Sequence, residues 1–470
     1  MYIIKIRMNN LCNKNMSFEE CELAIVRQAV DKADDIRKKQ AVNDDDIQKI
    51  IDILEQFLAK KKLVCYGGTA INNILPSHAQ FYDKETEIPD YDFYSSNAMD
   101  DAIELADIYF KKGYTDVEAK AGVHYGTYKV FVNFIPIADI TQLHSLLFKK
   151  VQQKAIVIHS IHYCPPDFLR MNMYLELSRP MGDVSRWEKV VKRISLLNKY
   201  YPMDPATKCK TITFQRDLKS AKIRGEEVYN IVLDNLLKLN VVFFGGFASS
   251  LFSKYMKTDK SIVRKTPDFD VLSNNAENDA YLLRESLVYH GFKNVGIKKH
   301  EEIHEVIPEH YIVSIDGENI VYFYKPIACH NYNKFKMKGK TLKIATIDTI
   351  LNFYLAFMYT DLPYYDYERL VCMSKYLYDV QKHNRLSQKG LLKRFSVSCY
   401  GQQKAIEEIR AEKAEQYKKL GNDRKSKEYQ KWFLKYNPGD KKTKSKSKTV
   451  RKTPSQNKTK KNKTKSDYLY

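Results

Sequence analysis

Asp90 and Asp92 stand two positions apart in the stretch IPDYDFYS, and side chains alternate along a strand, so both carboxylates point the same way. Their Cα atoms are expected about 7 Å apart. Carboxylates aimed together repel unless a cation stands between them, and hard oxygen donors of this kind suit Mg2+ or Mn2+. Asp139, closing the apolar run VFVNFIPIA, could add a third carboxylate from a neighbouring strand. Three carboxylates around two metal ions fit in-line nucleotidyl transfer: one ion lowers the pKa of an attacking hydroxyl, the other steadies the leaving pyrophosphate. The triphosphate also needs a cradle. In CYGGTAINN, Gly67 and Gly68 stand between a buried strand and a helix, letting the backbone come close, and the Thr69 hydroxyl offers a donor to anionic oxygens.

The elements that would position these residues occur twice. EEVYNIVLDNLLKLNVVFFGGFASSLF from Glu226 parallels DIQKIIDILEQFLAKKKLVCYGGTAINNIL from Asp46, each a periodic helix, a short apolar strand and a glycine pair. A constant offset of 178 carries Gly67 onto Gly245, Asp90 onto Asp268, Asp92 onto Asp270, Ser95 onto Ser273, Asp101 onto Asp279 and Gly113 onto Gly291. Beyond Gly113 the copies drift, and aligning PIAD with PIAC puts Cys329 where the first copy has Asp139. With Phe247 replacing Thr69 as well, the second copy reads as a scaffold. Between the copies, GDVSRWEKVVKRISLLNKYY reads as a helix capped by Asp183 with a buried stripe through Trp187, Val190, Ile194 and Leu197. Arg186, Lys189 and Arg193 share its other face, either as a solvated row or as contacts to RNA phosphates.

Length and charge bound the rest. A chain of 470 residues suggests more than one domain, and 78 basic against 57 acidic residues gives 78 − 57 = +21, which favours a polyanionic partner. Residues 441–470 hold twelve Lys or Arg and one Asp, so 12 − 1 = +11 of that charge sits in a segment with almost nothing to bury. The eight cysteines are scattered without a Cys-x-x-Cys pair, pointing to reduced thiols and no zinc module. No run is long and apolar enough to span a bilayer, and MYIIKIRMNN lacks the core of a signal peptide, so a cytoplasmic protein without a membrane is expected. The expected class is α+β with two tandem units: N-terminal helices and the catalytic unit over 1–160, a helical connector over 161–225, a degenerate second unit over 226–400, a charged helix over 401–437 and a disordered basic tail over 438–470.

Gly-Gly-Thr followed by Asp-Tyr-Asp and a lone Asp closing an apolar strand resembles the polymerase β-type nucleotidyltransferase superfamily. With the flanks VCYGGTAINNILP, PDYDFYS, HYGTYKVFVNFIPIADIT and PPDFLRMNMYLELSRPMGDVSRWEKV, the likeness narrows to the poly(A) polymerase catalytic subunits of large nucleocytoplasmic DNA viruses, the mimivirus-like branch related to the poxvirus enzyme. That resemblance covers about residues 45–350. It implies Asp90, Asp92 and Asp139 as the metal triad for two Mg2+ or Mn2+ ions, and Gly67, Gly68 and Thr69 as triphosphate contacts. It also implies ATP as substrate, the 3′ end of mRNA as acceptor, an inactive second unit and a homodimer. The forty-odd residues before Asp46 are too few for the poxvirus enzyme's extra N-terminal domain. An oligoadenylate or cyclic-dinucleotide synthase on the same fold, and a non-catalytic RNA-binding protein, are the competing readings.

Overall fold

The computed structural model describes residues 12–440 apart from 13–14, 43, 83–87, 206–208, 210–213, 219–223, 257–264, 304–305 and 338. Of the tail expected over 438–470, residues 438–440 are described, just past the last strand, and 441–470 lie outside the described residues. The first pass runs through α1 (Phe18–Val42), α2 (Asp45–Lys61), β1 (Val64–Tyr66), α3 (Gly67–Ile74), β2 (Tyr91–Ser95), α4 (Ala98–Lys111), β3 (Val117–Ala121), β4 (Thr127–Val132), β5 (Ile135–Gln142), α5 (Ser145–Gln153), β6 (Ile156–Ile158), β7 (Ile161–Tyr163), α6 (Pro166–Leu177) and α7 (Trp187–Tyr200). The second contains α8 (Gly225–Lys238), β8 (Val242–Phe244), α9 (Gly245–Leu251), β9 (Phe269–Leu272), α10 (Ala276–Tyr289), β10 (Val295–His300), β11 (His310–Ile315), β12 (Glu318–Tyr324), β13 (His330–Met337), β14 (Lys340–Ala345), α11 (Ile347–Phe357) and α12 (Tyr367–His383). The chain ends in β15 (Cys399–Tyr400), α13 (Ile406–Leu420), α14 (Lys427–Phe433) and β16 (Lys435–Tyr436).

Two eight-stranded mixed sheets result, in the orders β16-β3-β4-β5-β2-β1-β7-β6 and β10-β11-β12-β9-β8-β14-β13-β15. Apart from the end strands β16 and β15, the second order is the first with seven added to every strand number. The repeat read up to Gly113 therefore continues through the whole sheet. Its invariant positions have structural work to do. Ser95 donates to Asp101 at 2.5 Å and its hydroxyl takes the Asn97 N–H, locking β2 to the start of α4; Ser273 and Asp279 do the same between β9 and α10. Gly113 and Gly291 stand at φ +105° and +84° just past those helices, where a side chain would be strained.

Local chemistry sets the elements around the site. On α2, Ile50, Ile51, Leu54, Phe57 and Leu58 recur every three or four residues and are buried, and the Asp44 carboxylate takes the Asp46 N–H at the helix start. On α7 the stripe through Val190, Ile194 and Leu197 is buried as expected, and Asp183 caps the turn before it. Helices α6 and α11 pack on each other, with Asn352 Nδ2 donating to the Met171 carbonyl at 3.1 Å, so the two halves share a helical seam. The single charged helix expected over 401–437 is instead α13, α14 and the short strand β16, which returns to pair with β3. The apolar Tyr429, Phe433 and Leu434 within the charged segment give it something to bury.

The cysteines depart from expectation. Disulfides join Cys12 to Cys21, Cys209 to Cys372 and Cys329 to Cys399, leaving Cys65 and Cys164 as buried free thiols. Linear spacing cannot reveal pairs separated by 163 and 70 residues, which the fold brings together. Among the described residues no helix is long and apolar enough to cross a membrane.

Candidate active site

One row of side chains crosses the first sheet: Tyr66 on β1 is in register with Asp92 on β2, Asp92 with Asp139 on β5, and Asp139 with Lys129 on β4. Residues in register on neighbouring strands project from the same face, so Asp92 and Asp139 share a surface. Asp139 sits in the middle of β5, because the run VFVNFIPIA breaks at a turn through Asn133 and Phe134, both at positive φ. Lys129 Nζ meets Asp139 Oδ2 at 2.5 Å. Sequence reasoning missed Lys129, although it occupies an alternate position of the half-buried strand TYKVFV.

Asp90 lies just ahead of β2 and is exposed. Its backbone carbonyl accepts a hydrogen bond from the Thr69 hydroxyl at 2.6 Å, and Thr69 is buried. The hydroxyl expected to face a phosphate is thus spent on fixing the turn that carries Asp90. The glycines have separate reasons. Gly67 stands at φ +74°, and a Cβ there would come within 2.5 Å of Asp92 Oδ2. A Cβ on Gly68 would fall 2.3 Å from the Tyr82 hydroxyl and 2.7 Å from an Arg193 guanidinium nitrogen. Arg193 donates to that hydroxyl at 2.7 Å.

The carboxylates feel one another. Burial first, then Asp90 and Asp139, push the Asp92 carboxyl up to about 7, against the opposing pull of Lys129 and Arg186. Asp90, although exposed as a residue, has its carboxyl partly desolvated against the cleft, which with Asp139 raises it, Lys129 and Lys189 opposing. Of the basic row expected to hold RNA, Arg186 stands one residue ahead of α7 and pairs with Glu176 at 3.1 Å, Lys189 offsets Asp90, and Arg193 stands over Gly68. Among the described residues no cluster of three or more His, Cys, Asp or Glu closes into a ready ligand set. The donors nonetheless suit hard divalent cations: Asp92 and Asp139 share a face, Asp90 couples to both, and Lys129 is the cation that now offsets them.

A metal-free pH test follows. The raised Asp92 means that the fold holds its proton up to about pH 7, whereas the unfolded chain loses it near the ordinary value of about 3.9. The stability this supplies is complete below the unfolded value and is lost as pH rises through about 7. With chelator present, the Tm of the parent should fall relative to that of Asp92→Asn between about pH 4 and pH 8, leaving the variant the more stable at the upper end. Parallel profiles for the two proteins would show an unperturbed Asp92.

In the second sheet the row reads Phe244, Asp270, Tyr322 and Ile312. The counterpart of Asp139 is Tyr322, not Cys329: the offset there is 322 − 139 = 183, five more than 178, and Cys329 falls beyond β12 in a disulfide. Both a carboxylate and the lysine are gone. What remains is filled by the chain itself. Arg216 Nε meets Asp268 Oδ1 at 2.7 Å, its Nη2 meets Asp270 at 3.2 Å, and its backbone N–H bonds Asp268 Oδ2 at 2.7 Å. The guanidinium lies 4.2 Å from the centre of the Tyr322 ring. Phe247, in the place of Thr69, is fully buried against Phe243 and Phe269.

The glycine pair, the carboxylate pair and the strand that supplies the third acid all lie in one segment with close relatives. Residues 52–183 match the family of poly(A) polymerase catalytic subunits. A putative poly(A) polymerase catalytic subunit of African swine fever virus is 30% identical over 242 residues, 48% of this chain and 50% of that protein. Its namesake from Acanthamoeba polyphaga mimivirus is 31% identical over 185 residues, 38% of this chain and 30% of the other. The chain thus spans about half the length of the first of these relatives, and less of the second. The crystal structure of the Megavirus polyadenylate synthase superposes with a TM-score of 0.76 at 20% identity, covering 94% of this chain and 93% of that one. The resemblance to viral poly(A) polymerase catalytic subunits is borne out, and the α+β fold with it.

Proposed function

We propose that this chain is a polynucleotide adenylyltransferase, adding AMP from ATP to RNA 3′ ends without a template, with the first unit catalytic and the second a scaffold. The observation that carries this reading is the row Asp92–Asp139 beside Asp90, set over the Gly67–Gly68 pair within the segment that matches the family. In this reading Asp90, Asp92 and Asp139 hold two Mg2+ or Mn2+ ions, which supply activation of the 3′-hydroxyl and charge neutralisation on the triphosphate. The 3′-oxygen attacks the α-phosphorus, the bond to the bridging oxygen of the β-phosphate breaks, and pyrophosphate leaves. In the same reading the proton of the 3′-hydroxyl leaves to a neighbouring base, for which Asp139, in register with Asp92, is the candidate carboxylate. Lys129, which pairs with Asp139, would supply a positive charge at the edge of the site beside the bound ions.

Two partner readings belong with it: the resemblance implies an RNA 3′ end as acceptor and a homodimer as the working form, and the charge of the Lys-rich segment 441–470 suits it to contact RNA phosphates. The test is incubation of the purified chain with a 5′-labelled RNA primer, Mg2+ or Mn2+ and each nucleoside triphosphate in turn. Stepwise extension with ATP and little with the others is expected. Short 2′–5′ or cyclic products without a primer would instead identify an oligonucleotide synthase, and no incorporation under any condition would leave an RNA-binding protein.

A further inference from the structure

The two glycine cradles hold the same kind of atoms. Over Gly246, a Cβ would fall 2.1 Å from the carbonyl oxygen of Phe214 and 3.2 Å from a guanidinium nitrogen of Arg369, and Arg369 donates to that carbonyl. Over Gly68, a Cβ would fall 2.3 Å from the hydroxyl oxygen of Tyr82 and 2.7 Å from a guanidinium nitrogen of Arg193, and Arg193 donates to that hydroxyl. Each cradle therefore has an oxygen pressed onto the second glycine and an arginine behind it. The arginines come from α7 and α12, the second helices after β7 and β14, which are equivalent strands of the two sheets. In the second unit the stretch 214–216 fills the whole site: a carbonyl oxygen in the cradle and, two residues on, a guanidinium between the carboxylates. A bound nucleotide complex would need groups of the same kind in the same places, an acceptor oxygen over the glycine and positive charge between the aspartates.

The second unit thus displays, in its own atoms, the arrangement that the first unit leaves for a ligand. The first unit's stand-in is Tyr82, a side chain on a segment tied to α3, where the Phe81 and Tyr82 N–H groups bond Asn72 Oδ1 at 2.8 and 2.9 Å. A tyrosine hydroxyl can leave by rotating its side chain, whereas the Phe214 carbonyl cannot without moving the backbone. We propose that Arg193 binds the pyrophosphate end of the nucleoside triphosphate above Gly68, with the Tyr82 hydroxyl holding that place until a phosphate oxygen displaces it. The proposal rests on the nucleotidyltransferase reading and moves Arg193 from the RNA to the nucleotide. A guanidinium suits the role because its rigid planar fork donates two parallel hydrogen bonds to two oxygens of one phosphate, whereas a lysine acts as a point charge without that fixed geometry.

The test measures binding of Mn2+–ATP and of inorganic pyrophosphate by equilibrium dialysis, and binding of an RNA primer at several salt concentrations, for the full chain and three variants. Arg193→Met should weaken ATP and pyrophosphate together by at least about tenfold, the worth of a lost charge-assisted pair. RNA affinity and its salt slope should stay at parental values, since no phosphate contact on RNA is lost. Arg193→Lys should recover part of the loss, and Tyr82→Phe should bind ATP as well as the parent or better. Loss of RNA binding with ATP binding intact, or no change in either, overturns the proposal. A parent that binds Mn2+–ATP yet extends no primer would sink the polymerase reading while the Arg193 comparison still stands, and a parent that binds neither ATP nor pyrophosphate overturns the proposal too.

Discussion

Asp92→Ala is expected to slow single-nucleotide addition at saturating primer by at least about a thousandfold, with Asp90→Ala and Asp139→Ala close behind. Loss of one ligand removes several kcal/mol of charge stabilisation from the transition state, and each 1.36 kcal/mol is tenfold in rate. The fold should survive, because Asp92 is held up to about 7 by burial and by Asp90 and Asp139, so that its removal relieves repulsion in the metal-free protein. Circular dichroism would confirm the folded state, and a rapid-quench single-turnover assay would give the rate. A variant at any of the three positions with near-parental rate at saturating metal would show that the wrong carboxylates have been named. The three losses should not add in a double variant, since ligands of one site act as a unit.

Arg216→Ala is expected to destabilise the protein by about 3–5 kcal/mol, the usual cost of removing one partner from a buried ion pair. The Asp268 and Asp270 side chains are 3% and 8% exposed, so without the guanidinium two adjacent carboxylates would be left in the interior without a hydrogen-bonded cation, offset only by the neighbouring Arg369. Asp268→Ala combined with Asp270→Ala should cost a similar amount by stranding Arg216, yet leave the chemical step in the folded fraction within about tenfold of the parent. Replacing all three with apolar residues of like volume should recover much of the loss, because the pair and its cation then disappear together. Urea midpoints give the stabilities. An unchanged midpoint for Arg216→Ala would mean that the arginine is not what holds the second unit's carboxylates, and a catalytic loss from the paired aspartate change as deep as that from Asp92→Ala would make the second site catalytic.

The features legible in the sequence are those governed by local rules. Helix periodicity found α2 and the buried stripe of α7, and the fixed offset of 178 exposed the repeat through Ser95, Asp101 and Gly113, which serve the same turns in both units, whereas strand alternation reached Asp92 but not Asp90, which stands just ahead of β2. Residues that act across the chain were not legible. Lys129 meets Asp139 only because β4 and β5 pair in that register, and the five-residue slip that puts Tyr322 opposite Asp270 is hidden when PIAD is matched to PIAC by eye. Arg216 and Phe214 reach the second site from a connector with no periodic signal of its own. Tyr82 looks like one of many tyrosines until Gly68 is seen beneath it. Thr69 shows the converse: the residue type suits a phosphate contact, but Asp90's carbonyl takes its hydroxyl first.

The central claim is that one unit is open to substrate and the other is closed by its own chain, and the number of nucleotide sites per chain tests it most directly. Equilibrium dialysis of the full-length protein with ATP and Mn2+ should give one site per chain, abolished by Asp92→Asn and retained by Asp270→Asn in protein that remains folded. Two sites per chain, or a single site lost with Asp270→Asn and kept with Asp92→Asn, would contradict the account.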